Sequence, residues 1–357
     1  MSDKLSVPLR KPEPDCRRFI RAVTTDYQPP RPPLIEYILD KAVLAPVLEL
    51  MGRPWVEPGG ERAQQRAYWD NFIAFWHGMG YDIVRLEMSL PFPLMERLGG
   101  IRGRHFAETA TGPIQSWADF EKYPWPRVED FDWFALEYVA THLPEGMGLV
   151  SNHAGGPYER LVGLLGYEPL CLMLYDQPDL VEATARRVGE LMAVFYERLV
   201  TLPNLVAVFP GDDMGFRSGT LIAPADLRRL TLPWHKRFAQ LTHARGLKYF
   251  LHSCGAIFDI MPDLMDDVKI DAKHSFEDAI MPAAEFKRRY GGRIGVLGGV
   301  DLNVLSAAPP AELRKYVRKL IDDCAPGGRF AVGSGNSIPD YIPPINYLTM
   351  IDEALKS

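Results

Sequence analysis

From about Asp82 onward, short apolar runs rich in β-branched residues alternate with longer segments in which apolar residues recur at helical spacing. This alternation is typical of strand–helix units, in which helices join neighbouring parallel strands and cover the sheet. Strands buried on both faces read as nearly continuous apolar runs, as LVAVFP, KYFLHS and RIGVLGG do. The pattern predicts an α/β fold built on a parallel sheet. The predicted strands span residues 82–88, 148–152, 205–209, 249–253, 270–274, 294–297 and 330–333.

Other segments predict helices and one insertion. The segment from Pro224 to Gly246 has a helical start and a glycine suited to the position after a helix, and Pro233 inside it predicts a kink or a break. Segment 178–200 is amphipathic at helical spacing, so we expect it to pack on the core. Segment 104–116, RHFAETATGPIQS, interrupts the alternation and is interpreted as an inserted hairpin.

The composition excludes several classes of function. The net charge is −6 and no long run of lysine or arginine occurs, which argues against nucleic-acid binding and favours a small substrate. Residues 1–21 lack the apolar segment of a signal peptide, and no apolar stretch approaches the roughly 20 residues that span a bilayer. The four cysteines are far apart and form no C-x-x-C pair, which indicates a reducing compartment. We therefore expect a cytoplasmic protein without membrane association.

Polar residues follow the predicted strands, at the positions where those strands end. The carboxyl ends of parallel barrel strands meet at one mouth, and active sites of such folds lie there. We therefore take these residues as the candidate site. They are Glu87, Asn152, His153, Asp212, Asp213, His252, Cys254, His274, Glu277, Asp301, Ser334 and Asn336.

The sharpest pattern among them is YFLHSCG. Because side chains alternate along a strand, His252 and Cys254 point to the same side. Imidazole nitrogen and thiolate sulfur are ligands that zinc favours, so this pair predicts a metal site. The alternative from spacing alone is a hydrogen-bonded core histidine beside a small buried cysteine.

Two further patterns carry acidic groups. In FPGDDMGFRSG, adjacent residues usually face opposite ways, so at most one of Asp212 and Asp213 enters the mouth, as a general acid or base or a metal ligand. The alternative is a pair that only fixes the turn. In IDAKHSFED, His274 and Glu277 predict a proton relay or an anchored pair, Lys273 offers an anion contact instead, and a structural histidine is the alternative.

The segments AGGPYE, GDDMGFRSGTLIAP, YFLHSCGAI, VLGGVDLNVL and AVGSGNSIPDYIPPINY, in this order, resemble the uroporphyrinogen decarboxylase superfamily over most of the chain from about residue 30. This superfamily includes a branch that moves methyl groups from a corrinoid protein to a thiol such as coenzyme M. The resemblance implies a (β/α)₈ TIM barrel, although only seven strands are legible. It also implies a possible homodimer, since members of the superfamily often work as dimers. We expect an N-terminal helical extension at 1–80 and the barrel at 81–357, in one structural domain.

The sequence departs from the decarboxylases themselves at two places. Those enzymes carry an arginine-rich RQAGR loop for the carboxylates of the tetrapyrrole, and the corresponding region here reads PPRPPLIEYILDKAVLAP. They also carry an aspartate at the end of the first barrel strand, where DIVRLEMSLP offers Glu87 near that point. The resemblance is therefore closer to the methyltransferase branch.

In that branch, zinc is held by an H-x-C pair and a distant cysteine in a Gly-Cys-Gly type of turn. His252 and Cys254 match the pair, but Ser334 stands in the turn where the branch has its cysteine. Either an acid completes the ligand set, or metal binding is weak or absent. The candidate acids are Glu87, Asp213 and Glu277.

Together, residues and resemblance predict a zinc-dependent methyltransferase acting between a corrinoid protein, its expected partner, and a thiol or similar acceptor. Zinc would lower the pKa of the incoming thiol. The alternatives are a decarboxylase of the uroporphyrinogen type without a cofactor and a non-catalytic ligand-binding barrel. Besides the metal ligands His252 and Cys254, the residues assigned to catalysis are Asp213, His274, Glu277 and His153, and those assigned to substrate binding are Glu87, Asp212, Asn152, Ser334 and Asn336.

Overall fold

One parallel sheet forms the centre of the protein in the computed structural model, which describes residues 5–93 and 111–356. The strands lie side by side in chain order, and every neighbouring pair is parallel. All seven predicted strands are confirmed, with ends shifted by two residues or fewer. The strands are β1 Ile83–Met88, β2 Gly148–His153, β3 Leu205–Val208, β4 Lys248–His252, β5 Ala272–His274, β6 Gly295–Leu297 and β7 Phe330–Ala331.

Helices connect the strands and cover the outer face of the sheet. In the described part of the chain they are α1 Cys16–Thr24, α2 Lys41–Leu50, α3 Arg62–Gly78, α4 Trp117–Lys122, α5 Phe134–Thr141, α6 Pro157–Leu165, α7 Tyr167–Asp176, α8 Pro178–Leu199, α9 Pro224–Leu230, α10 Leu232–His243, α11 Met261–Asp263, α12 Ala283–Tyr290, α13 Leu302–Ala307, α14 Pro310–Cys324 and α15 Pro344–Leu355.

The helix predictions between the strands are confirmed. The predicted amphipathic segment at 178–200 is α8, whose apolar side is buried. The break predicted at Pro233 separates α9 from α10, and the proline lies in the first turn of α10, where its missing N–H costs no helical hydrogen bond. The hairpin predicted at 104–116 lies largely outside the described residues, which leave out 94–110.

The sheet is curled, and side chains from its concave face form an inner apolar cluster. Alternation along each strand selects one set of residues for this face and sends the other set toward the helices. Residues of the first and last strands, Ile83 and Ala331, belong to the same cluster, which shows how far the sheet curls. The inner cluster consists of Phe19, Val23, Ile35, Tyr37, Ile83, Val150, Ala207, Phe209, Phe250, Ala272, Leu297 and Ala331.

The segment at 33–39 lies beside β7. The Ile35 N–H donates to the Val332 carbonyl at 3.0 Å, and the Val332 N–H donates to the Pro33 carbonyl at 2.9 Å. A second parallel bridge joins Leu39 to Ile338. The N-terminal part of the chain therefore carries Tyr37 into the interior of the curled sheet.

Helix α1 covers the end of the sheet where the strands begin. The Cys16 N–H donates to the carbonyl of Gly146, which precedes β2. The N–H of Arg329, the residue before β7, donates to the Thr25 carbonyl. Phe19 packs edge-on against Phe250 within the inner cluster. The candidate site residues lie at the opposite end, where the strands finish. In the described residues, no helix is long and apolar enough to span a bilayer.

Candidate metal centre

Three possible metal ligands meet where β3 and β4 end. Asp213, His252 and Cys254, called here the metal triad, have ligand atoms that all lie within 4.8 Å of one another. His252 Nε2 is 3.4 Å from Cys254 Sγ and 3.5 Å from Asp213 Oδ1. His252 and Cys254 therefore point to the same side of β4, as predicted, and the loop after β3 adds the carboxylate of Asp213.

Backbone hydrogen bonds fix this arrangement. The His252 N–H donates to the Pro210 carbonyl at 2.9 Å, and the Asp212 N–H donates to the His252 carbonyl at 2.9 Å, so the loop after β3 runs along the end of β4. The Cys254 N–H donates to Asp213 Oδ1, also at 2.9 Å. These bonds hold the carboxylate of Asp213 over the cysteine.

The donor set fits zinc. One carboxylate, one imidazole and one sulfur are ligands that zinc accepts, and three protein ligands with one open position are typical of catalytic zinc sites. Asp213 and Cys254 are partly exposed at the end of the sheet, so a small molecule can reach them from outside. Ser334, the substitute for the family cysteine, is fully buried and is not one of these three ligands.

The sulfur of Cys254 lies in a mixed environment. Burial first, and then the charge of Asp213, raise the pKa of the Cys254 thiol. Two hydrogen-bond donors are aimed at the sulfur, the Asn336 amide at 3.2 Å and the Ser275 hydroxyl at 3.4 Å. A cation between the sulfur and the carboxylate would remove their repulsion and favour the thiolate.

His274 stands behind His252 rather than in the triad. The two Nδ1 atoms are 2.7 Å apart, and His274 Nε2 lies 3.1 Å from the Ser334 carbonyl oxygen. Burial lowers the pKa of His274 to about 3, so the ring is neutral. The ring of Tyr37 stacks on His252 with centroids 4.0 Å apart and planes 12° apart.

A second polar cluster lies on the inner side of β1 and β2. The guanidinium of Arg85 is 2.7 Å from Glu87 Oε2 and 3.0 Å from Asn152 Oδ1, and it lies 3.8 Å from the centre of the Tyr37 ring. The side chain of Arg85 is 2% exposed and that of Glu87 is 23% exposed. The carboxylate of Glu87 therefore faces the open end of the sheet, and the guanidinium of Arg85 lies beneath it.

Asp212 turns away from the triad. It is fully buried, and its carboxylate accepts the N–H groups of Tyr158 and Glu159 in the first turn of α6 at 3.1 and 2.9 Å. His235 of α10 lies 2.8 Å from the same carboxylate. This geometry agrees with the prediction that at most one of the two aspartates enters the mouth, and Asp212 is not placed to touch a substrate.

His153 and Glu277 are not brought to the triad either. His153 Nε2 accepts the Leu90 N–H at 3.0 Å, and its ring packs edge-on against Phe195 on the helix side of the sheet. Burial lowers the pKa of His153 to about 3. Glu277 is exposed, beyond the end of β5. His153 and His274 therefore lie on different sides of the sheet. Glu277 is not placed to form a proton relay with His274.

Lys273 does not offer an anion contact. Its ammonium donates to the carbonyls of His274 and Ser275 at 3.1 and 2.7 Å and lies 4.7 Å from the Phe276 ring. Burial lowers its pKa to about 8. The charge of Lys273 is therefore held between β5 and the helices rather than at the mouth.

Sequence reasoning missed Glu36, Tyr37 and Arg85. Glu36 is fully buried, accepts the Ser334 N–H at 3.0 Å and contacts the Ser334 hydroxyl. Burial raises the pKa of Glu36 to about 8. The available signal was a charged residue inside an apolar run, in PPLIEYIL and in IVRLEM.

Comparisons with known proteins agree with this architecture. The sequence model of the family described as uroporphyrinogen decarboxylase (URO-D) matches residues 109–356. The uroporphyrinogen decarboxylase of Alkalilimnicola ehrlichii is 24% identical over 256 residues, which are 67% of this chain and 66% of that protein. The uroporphyrinogen decarboxylase of Cupriavidus necator is 37% identical over 73 residues, 20% of each chain. The chain thus spans 66% or less of the length of these relatives.

Among solved structures, a methyltransferase from Methanosarcina mazei is similar with a TM-score of 0.67 and 15% identity, over 96% of this chain and 99% of that one. At this identity the likeness shows the fold alone. The family match covers more than half of the chain, including the metal triad and the strands from β2 to β7. The chain therefore belongs to the uroporphyrinogen decarboxylase family.

Proposed function

We propose that this protein is a zinc-dependent methyltransferase of the uroporphyrinogen decarboxylase superfamily, which moves a methyl group between a corrinoid protein and a thiol or similar acceptor. The observation that carries the proposal is the metal triad. Three ligands of the types that zinc prefers converge at the carboxyl ends of parallel strands. In catalytic zinc sites, three protein ligands leave one position open to a substrate.

The residues of the site have separate tasks in this proposal. Asp213, His252 and Cys254 would hold the ion, which supplies Lewis acidity and lowers the pKa of a thiol bound at the fourth position. Asn336 and Ser275 donate hydrogen bonds to the Cys254 sulfur and restrain it beside His252 and Asp213.

Glu87 and Asn152 would bind the polar end of the small substrate. Arg85 pairs with both of them and keeps the carboxylate of Glu87 in place beneath the opening. A carboxylate held in this way accepts hydrogen bonds from a substrate without having to reorganise.

The proposed enzyme is a closed barrel that docks its partner at one end. We take the segment at 33–39 as the eighth strand, so that the curled sheet becomes a (β/α)₈ barrel with the remaining helical part of 1–80 as its extension. The corrinoid protein would dock at the carboxyl ends of the strands in the cytoplasm, and a homodimer would be the working form.

A decarboxylase acting on a carboxylated tetrapyrrole is the second candidate, favoured by the family match and by the curated relatives. One charge pattern argues against it. Among the described residues around the triad, Arg85 is paired with Glu87 and almost wholly buried, so it does not offer its charge to a substrate carboxylate.

Metal analysis of protein purified without chelators tests the proposal. We expect about one zinc per chain, lost in Cys254→Ala and kept in Cys171→Ala, a matched control because Cys171 is a partly buried cysteine of α7 outside the triad. Wild-type protein without zinc, or a Cys254→Ala variant that still holds it, would contradict the proposal. Release of carbon dioxide from uroporphyrinogen would favour the second candidate instead.

A further inference from the structure

We propose that His274 is a positioning residue that fixes the tautomer of His252, leaving the lone pair of His252 Nε2 directed at the other two members of the metal triad. The inference rests on the proposed metal centre. His274 would prepare this ligand in the apo protein, before any ion arrives.

The first step is the hydrogen on His274. Its Nε2 lies 3.1 Å from the carbonyl oxygen of Ser334, which can only accept. His274 Nε2 therefore carries a hydrogen. His274 itself is fully buried, so its ring cannot exchange this hydrogen bond for one with bulk water.

The imidazole rings of His252 and His274 share one hydrogen bond. Their Nδ1 atoms are 2.7 Å apart, a distance that has room for one hydrogen and not for two. With its one hydrogen on Nε2, the His274 ring has a lone pair on Nδ1. His274 Nδ1 is therefore the acceptor, and His252 Nδ1–H is the donor.

The tautomer of His252 decides what its other nitrogen, Nε2, can do. A neutral imidazole with its hydrogen on Nδ1 has a lone pair on Nε2. That atom is the one that lies 3.4 Å from Cys254 Sγ and 3.5 Å from Asp213 Oδ1. The chain from the Ser334 carbonyl through His274 thus prepares His252 as a metal ligand, in the way that a hydrogen bond to the distal nitrogen orients ligating histidines.

Tyr37 restricts the same ring in a different manner. It stacks on His252 with centroids 4.0 Å apart, and the guanidinium of Arg85 lies 3.8 Å from the Tyr37 centroid. The stack limits the rotation of His252, whereas the tautomer depends on His274. Removal of His274 should consequently weaken metal binding even if the stack with Tyr37 keeps the His252 ring in the same plane.

The direct test is ¹⁵N NMR of the His252 ring in the apo form of the full chain. We expect a protonated Nδ1 and an unprotonated Nε2 in the wild type. A hydrogen on Nε2 would overturn the inference. This readout needs no variant and no metal, so it decides the tautomer whether or not the protein is a methyltransferase.

A second measurement uses two variants and Zn²⁺ competition against a chelator. His274→Leu removes the acceptor and should raise the Kd for Zn²⁺ by about 10- to 100-fold. His274→Asn keeps an oxygen near the position of Nδ1 and should restore most of the affinity. Equal affinities of wild type and a folded His274→Leu would overturn the inference. Wild-type protein that shows the expected tautomer but binds no Zn²⁺ would contradict the proposed function alone.

Discussion

Glu36 and Ser334 are two buried polar residues near the site that pair with each other. The Ser334 hydroxyl contacts both a Glu36 carboxyl oxygen and the Asn336 carbonyl. A hydroxyl has one hydrogen, so it can donate to only one of these two acceptors. A neutral carboxyl on Glu36 resolves the shortage, because its own O–H donates to the serine. The raised pKa of Glu36 agrees with this pattern.

The Glu36 carboxyl leads to a prediction about pH. The folded-state pKa of about 8 is above the usual value near 4.5, so between these values the folded protein holds a proton that the unfolded chain has lost. Unfolding free energy should therefore fall as pH rises through this window. Glu36→Gln keeps the donor and the acceptor without the titration, so its stability relative to wild type should rise by a few kcal/mol from pH 5 to pH 8.

Urea unfolding of both proteins at pH 5 and pH 8 measures this change. The control is Glu49→Gln on α2, where the glutamate is exposed and the substitution should shift stability by about 0.5 kcal/mol or less at either pH. A difference between Glu36→Gln and wild type that does not vary with pH would show that Glu36 is ionised in the folded protein.

At the scale of elements, Asp212 joins three of them. It lies after β3, caps the first turn of α6 and contacts His235 of α10. Gly156, the residue before α6, approaches this carboxylate so closely that an added Cβ would lie 2.3 Å from the Cβ of Asp212. The neighbouring residue, Asp213, contributes to the metal triad instead.

These adjacent aspartates give a matched pair of variants. In Asp212→Asn the amide group must face an N–H donor of α6 or His235, and we expect a loss of about 2–4 kcal/mol in unfolding free energy. Zn²⁺ affinity per folded molecule should be kept. Asp213→Asn retains an oxygen for the Cys254 N–H, so stability should change little while Zn²⁺ affinity falls.

Chemical denaturation and chelator competition on both variants separate the two roles. The opposite pattern, with stability lost in Asp213→Asn and metal affinity lost in Asp212→Asn, would exchange the assignments of the two residues. Equal effects on both measurements would mean that the loop after β3 acts as one unit.

At the scale of the whole molecule, Asp352 ties the two ends of the described chain together. It is fully buried in α15, and it accepts the Ser6 N–H at 2.7 Å. Arg314 of α14 and Lys356 lie 2.6 and 2.7 Å from the same carboxylate. Burial alone would raise the pKa of Asp352, but these hydrogen bonds and charges outweigh it and lower the pKa.

A depressed carboxyl pKa stabilises the fold above the unfolded-state value of about 3.9, and the contribution is lost as pH falls toward the folded-state value. Asp352→Asn should therefore lower the unfolding free energy by about 2–4 kcal/mol at pH 7. The deficit should shrink by roughly 1 kcal/mol for each pH unit below about 4. Denaturation at pH 7 and pH 3 measures this, with Asp340→Asn, an exposed aspartate, as the control. A deficit of the same size at both values would contradict the charged state of Asp352.

The sequence by itself determined the order of the elements. Short β-branched runs that alternate with helical segments are typical of parallel strands buried on both faces, so all seven strands were legible, as was the break at Pro233. Alternation along a strand placed His252 and Cys254 on one side, and the opposite facing of neighbouring residues limited the mouth to one of Asp212 and Asp213. These are local rules, and they hold whatever the strands pack against.

Only the tertiary structure decided which polar residues share a site. Glu36 and Tyr37 reach it because the segment at 33–39 pairs with the strand end near Val332, about three hundred residues away along the chain. His153 faces the helices for the same reason that Asn152 faces inward, a choice that depends on which face of the sheet is concave. Residue type and spacing contain no record of such long-range pairing, because the partners are set by how the sheet curls.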